Sequence, residues 1–154
     1  MKFPLSILFS LWLFAASLHA ADVPTSNVPS AASRLASARA AIEARDWSRA
    51  LMELDLAARE APRNAEVHNL LGYSYRKQAQ PNLPKAFEHY RRALALDPRH
   101  RGAHEYIGEA YLMDKKPQEA ERHLAELERI CGTTNCEEYV DLARAIAEYK
   151  ARNH

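Results

Sequence analysis

The 154-residue chain has little glycine: Gly72, Gly102, Gly108 and Gly132 are the only four, and no two are neighbours. They cannot build a G-x-G-x-x-G turn or another phosphate-cradling loop. Charge of one sign is also lacking, with 21 Lys and Arg against 20 Asp and Glu. Phosphate-backbone binding needs a basic excess, so nucleic acid is set aside as a partner. Serines are few, no G-x-S-x-G occurs, and the carboxylates lie at helix-surface spacing among basic partners, as Glu119 does beside His123. No catalytic constellation emerges, so neither enzyme activity nor a cofactor is expected. Ala, Leu, Arg and Glu dominate instead, a composition of helix formers in a chain long enough for one modest core.

The long apolar run is confined to the start. Met1-Lys2 precedes a stretch from Phe3 to Leu18, and small residues follow at Ala20-Ala21. This pattern reads as a secretory signal peptide, residues 1–20, cleaved after Ala20. Its apolar run falls short of the ~20 residues of a membrane span, so no span is expected after cleavage. No cysteine follows the run for lipid attachment, and the mature chain would carry 20 basic against 20 acidic residues. Residues 21–30, with two prolines and three hydroxyl residues, read as a disordered tether.

The body repeats. Ala50, Leu54 and Ala57 recur as Ala86, Tyr90 and Ala93, then as Ala120, Leu124 and Leu127, at intervals of 36 and 34. Leu71-Gly72-x2-Tyr75 recurs 36 residues on as Ile107-Gly108-x2-Tyr111, and a degenerate copy centres on Ala38, 34 before Gly72. Every interval that spans Ala79–Pro84 is 36 and every other is 34, so one two-residue insertion explains the set. The expected helices run over about 31–44, 47–60, 65–79, 84–96, 101–114, 117–130 and 137–151. Asp46 is placed to cap the second of these, Pro84 and Pro117 to sit in first turns, and Pro62 and Pro98 to end units. Gly72 and Gly108, mid-helix, imply a close crossing, with Ala50, Ala86 and Ala120 as the small residues facing them.

A 34-residue helix–turn–helix period carrying L-G-x2-Y, then A-x3-F, then P resembles the tetratricopeptide repeat. Leu71, Gly72, Tyr75, Ala86, Tyr90 and Pro98 match it in the second unit. Ile107, Gly108, Tyr111, Ala120 and Leu124 match in the third, with Gly132 in place of Pro. The resemblance implies an all-α, right-handed solenoid of three units, at 31–64, 65–100 and 101–132. Residues 133–154 would form a disulfide loop and a capping helix with a stripe of Tyr139, Leu142, Ala143, Ile146 and Tyr149. The chain is also similar to small exported tetratricopeptide proteins of Gram-negative bacteria, which implies a periplasmic location.

In an exported chain with exactly two cysteines, Cys131 and Cys136 are expected to pair. So short a loop contributes roughly 2 kcal/mol on the loop-entropy model, and its larger use is to fix the angle of the cap. The pair lacks the C-x-x-C spacing of reactive dithiols. His100 and His104 lie four apart without the second His of H-E-x-x-H, and His68 and His104 occupy equivalent places where the family packs a large residue on the preceding unit. No metal is therefore expected.

By resemblance to the family's groove, the concave lining is Arg39 and Ile42, then Asn69, Tyr73 and Arg76, then Glu105, Glu109 and Leu112. Tyr73 is the candidate aromatic anchor. The implied function is a non-catalytic, protein-binding scaffold whose partner is an unidentified protein or peptide. The alternative is a small redox or metal-handling accessory protein using Cys131/Cys136. A third reading is weak self-association through the apolar open ends of a three-unit stack.

Overall fold

The computed structural model describes residues 29–153, so the signal-peptide reading and nearly all of the tether lie outside them. Seven helices follow one another: α1 (Ala31–Glu43), α2 (Trp47–Glu60), α3 (Ala65–Lys77), α4 (Leu83–Leu96), α5 (Arg101–Met113), α6 (Pro117–Cys131) and α7 (Glu137–Arg152). Polar side chains fix most of their starts. Ser30, Asp46, Asn64, Asn82 and His100 each accept a backbone N–H of the first turn they precede. Ser30, read as the last tether residue, is thus the cap of α1. Pro84 and Pro117 stand in first turns, where no N–H is needed. Gly132 takes the left-handed conformation at φ +68° and closes α6.

The insertion is absorbed in one loop. In each unit the N–H at the start of the second helix donates back to a carbonyl near the end of the first. The pairs are Asp46 to Ala41 at 2.8 Å, Asn82 to Tyr75 at 3.0 Å and Lys116 to Tyr111 at 2.8 Å. The reach is five residues in the outer units and seven in the middle one. The shorter loops turn through Arg45 and Lys115, both at φ 57°. α3 ends at Lys77 rather than 79 because these residues are needed to make the longer turn.

Helices pair as α1 with α2, α3 with α4 and α5 with α6, and each pair stacks on the next through its neighbouring helices. First helices also touch across units: α3 meets α5, and α5 meets α7. Second helices make no comparable contact, which puts α3, α5 and α7 on the inside of the curve. Three apolar clusters run along the stack, and Tyr75 and Tyr111 each pack against two of them, joining unit to unit. The cap buries Leu142 and Ile146, with Tyr139 and Tyr149 packed beside them.

A polar clasp recurs inside each pair. His68 Nε2 lies 3.2 Å from the Pro62 carbonyl, and its Nδ1 lies 3.3 Å from His89 Nδ1. His104 repeats this with Pro98 at 3.0 Å and His123 at 2.9 Å. A carbonyl only accepts, so Nε2 of His68 and His104 carries the proton, and in the neutral tautomer their Nδ1 is left to accept from His89 and His123. The two positions in the first unit hold Arg34 and Glu53, an ion pair at 3.4 Å. His68 and His104 therefore pack on the preceding loop as expected, but their second partner is a histidine of their own unit. His123 does not serve Glu119, which holds Arg122 at 2.8 Å.

Burial and then the neighbouring His104 depress His123 to about 4, and burial and His68 lower His89 likewise. A depressed base binds fewer protons folded than unfolded, so its stabilisation is complete above the unfolded value of ~6.5 and lost as pH falls toward 4. The expected result is a His123 ring that titrates near pH 4 by NMR and stability that declines below pH 6.5. A His123 value of 6 or above would overturn the clasp.

Candidate functional site

The inner wall is assembled from the faces of α1, α3 and α5 that the apolar clusters leave free. Its centre is a close approach. A Cβ on Gly72 would lie 2.6 Å from the Tyr90 ring, so glycine is what admits that ring. The small-against-small expectation is corrected here: Gly72 faces Tyr90, not Ala86, and Gly108 faces Leu142 of the cap, not Ala120. Inward-facing alanines give α4 room to approach, but the ring fills the crossing itself.

Tyr90 is fully buried, and its hydroxyl accepts from Arg76 Nε at 3.2 Å. Arg76 also ion-pairs with Glu109 of the next unit, and its guanidinium lies 5.5 Å from the Tyr73 ring centre and 5.7 Å from that of Tyr106. Burial opposes its charge, but Tyr90 and Glu109 more than offset this and hold its pKa above the ordinary arginine value. Arg76, expected as an open groove cation, is thus buried at 6% exposure. Nη2 makes the ion pair, with Glu109 Oε2 as its partner.

Tyr73 stands half-buried in an aromatic row, 6.2 Å from Trp47 and 4.8 Å from Tyr106. Beside it a hollow of about 460 Å³ is lined by Ile42, Glu43, Arg45, Trp47, Tyr73, Lys77 and Ala79. Lys77 Nζ lies 5.8 Å from the Tyr73 ring centre, which makes this end of the groove basic and aromatic.

A polar chain crosses the wall between units. Arg39 reaches Glu66 at 2.7 Å, Asn69 Nδ2 donates to Glu66 at 3.3 Å, and His100 Nε2 lies 3.1 Å from Glu66. Burial would raise Glu66, but the bonds from His100, Arg39 and Asn69 outweigh it and leave its pKa low; Glu66 in turn raises His100. His100 is thereby occupied by Glu66 and the α5 cap, and His104 by His123, so the two do not converge as a metal pair. Asn69, 3% exposed, leaves its Oδ1 without a donor among the described residues.

Glu105 occupies the position equivalent to Asn69 one unit on and is 8% exposed. Burial first, then Glu109, Asp141 and Glu138, push its carboxyl up to about 8 against the pull of Arg76. Leu112 is corrected from groove to core: it joins Ala120, Leu127, Leu142 and Ile146, because the cap covers that side of α5. Trp47, Glu66 and Tyr106 were not foreseen. Trp47 opens α2, and Tyr106 stands one residue away from the Ile107-Gly108 motif, so spacing within the motif pointed past both.

Cys131 and Cys136 lie at bonding distance, 2.07 Å between sulfurs, where α6 ends and α7 begins. With Glu138 their ligand atoms lie within 4.8 Å of one another, but a closed disulfide offers no thiolate to a metal.

Stacked helix pairs with an inner wall of first helices define a helical-repeat interaction scaffold, a fold that is typically non-catalytic. The tetratricopeptide repeat profile matches residues 35–100 and 79–133, and the chain belongs to that family. Tetratricopeptide domains mediate protein–protein interaction. Among solved structures the chain is similar to the TPR2B domain of yeast Sti1 in its complex with pHsp70. The TM-score is 0.71 at 15% identity, over 79% of this chain and 97% of that one. It is also similar to the Sgt2 TPR domain from Aspergillus fumigatus, with TM-score 0.70 and 19% identity over 82% of this chain and 80% of that one. No curated protein matches significantly. Among the described residues, no helix is long and apolar enough to cross a membrane.

Gly72→Ala forces a rigid ring off its seat, an overpacking of about 1–3 kcal/mol that exceeds the helix-propensity gain of up to ~1 kcal/mol. Urea unfolding is expected to show a net loss of about 1–2 kcal/mol. Gly108→Ala should lose less, because the atoms it meets are rotatable Leu142 methyls. Equal or reversed losses would contradict the Tyr90 contact.

Proposed function

We propose that the protein is an exported, non-catalytic adaptor that holds a segment of a partner polypeptide along its inner wall. The observation that carries this reading is half-exposed Tyr73, set in an aromatic row with Trp47 and Tyr106 beside the basic hollow, with the unpaired Asn69 Oδ1 buried on the same wall. A buried polar atom left without a partner costs about 1–3 kcal/mol, and an N–H of a bound main chain would remove the penalty at Asn69 Oδ1. Tyr73, with Trp47 at its side, gives such a segment a rigid aromatic contact next to the basic hollow. The complex of the Sti1 domain with pHsp70 is consistent with ligand binding on this fold, although the ligand chemistry here is its own.

Export to the periplasm is supported by residues 1–20 and by the cysteine pair, which suits an oxidising compartment. Mass spectrometry of the protein purified from its natural host is expected to give Ala21 as the N-terminus. Retention of Met1 would refute export by cleavage.

The binding test is cross-linked capture from periplasmic extract. Wild type and a convex-face control, Arg92→Glu, are expected to retain the same partner. Tyr73→Ala/Asn69→Leu, with an unchanged circular dichroism spectrum, is expected to lose it. Equal capture by all three would remove binding from the inner wall. The accessory-protein reading rests on the approach of Glu138 to the cysteines. It requires stoichiometric metal after reduction, and a bond that resists reduction with no metal taken up would end it.

A further inference from the structure

The far end of the groove holds a buried carboxyl group that forms no ion pair among the described residues. Glu105 is more than nine-tenths buried, and Arg76, the cation whose charge reaches it, is itself paired with Glu109. Buried charges in proteins are normally paired, because desolvation of a lone one is strongly unfavourable. One unit earlier, at the equivalent place on α3, Asn69 Oδ1 is also buried without a donor. Asn69 Oδ1 lacks a donor and Glu105 has no ion-pair partner among the described residues, and the surrounding acids Glu109, Glu138 and Asp141 add a negative potential. The Tyr73 and Tyr106 rings, which already face the Arg76 guanidinium, lie along the same wall and give it an aromatic character that suits cations.

We infer that Glu105 is the receptor for a cationic side chain, arginine or lysine, carried by the polypeptide in the groove. This rests on the inner-wall reading above and adds the chemistry and polarity of the segment. Its basic residue lies at the α5–α7 end, away from the basic hollow at Arg45 and Lys77. Burial and the neighbouring acids favour the protonated form of Glu105 at neutral pH. The facing groups are Arg76 from α3, Glu109 on α5 itself, and Glu138 and Asp141 from α7. An entering cation favours the carboxylate, so the proton leaves as the ligand arrives, and binding tightens as pH rises toward 8.

The test uses three fluorescein-labelled octapeptides in which alanine alternates with arginine, glutamine or glutamate, titrated into the mature chain. The arginine peptide is expected to bind at least about tenfold more tightly than the glutamine peptide, equivalent to ~1.4 kcal/mol. Its affinity should rise between pH 6.5 and 8.5, and calorimetry in two buffers of different ionisation enthalpy should register proton release. Glu105→Gln keeps the shape of the protonated acid, so it is expected to fold and to melt no lower than wild type at pH 8. It should lose both the preference and the pH slope. Glu88→Gln, on exposed α4, is expected to keep both. Equal binding of the arginine and glutamine peptides would overturn the assignment, as would a preference that survives Glu105→Gln. No binding by any peptide also overturns it, while capture that still depends on Tyr73 would leave the inner-wall reading standing.

Discussion

The seating of the Tyr90 ring against Gly72 couples the packing of the stack to the surface it presents. Helix pairs approach as closely as the smallest residue at their crossing permits. Here the gap left by a missing Cβ is filled by a buried aromatic ring, which brings a hydroxyl to the inner side of α3. Arg76 would otherwise be a desolvated cation with one partner. Tyr90 gives it a second, and two tyrosine faces flank it. Because Glu109 of the next unit completes the arrangement, a contact made inside one helix pair also sets how the following pair is placed.

The three units meet the same local demand with different chemistry. Between the first and second helix of each pair stands a polar couple: Arg34 with Glu53, His68 with His89, His104 with His123. The ion pair of the first unit shows that the position asks for a donor facing an acceptor, not for histidine as such. Two rings meeting through their Nδ1 atoms satisfy it, and Tyr75 and Tyr111 stack on His89 and His123 at 5.6 and 5.7 Å. The loops show the same economy of means: one backbone hydrogen bond survives a two-residue insertion because the extra residues bulge outward between fixed ends.

Much of this was legible in the chain. The positions of all seven helices follow from apolar spacing and from the polar and proline residues at their starts, because both act within a turn or two of sequence. The partner across the Gly72 crossing was not legible. Spacing says that Ala86 and Tyr90 both face inward, but which fills the gap depends on the axial offset of α4. The histidine clasp did leave a trace, since His68 and His104 are 36 apart while His89 and His123 are 34 apart, obeying the rule of the insertion. Only the first pair sits inside the family motif, so the second passed unnoticed. Arg76 and Leu112 were assigned to the surface by their place on the helix, and neighbouring units buried them.

The cap shows how an end-stop becomes part of the site. Leu142 of α7 closes against Gly108 and completes the last apolar cluster, the task a terminal helix must perform in any stack. The same face carries Glu138 and Asp141, so the helix that excludes water from α5 also brings two more negative charges toward Glu105. Burial and these charges together set Glu105 apart from an ordinary surface acid. The five-residue span from Cys131 to Cys136 ties the start of α7 to the end of α6, and Glu138 follows two residues later. The acidity of the groove's far end therefore depends on where a covalently tethered capping helix lies, and the first and last units give the inner wall opposite electrostatic character.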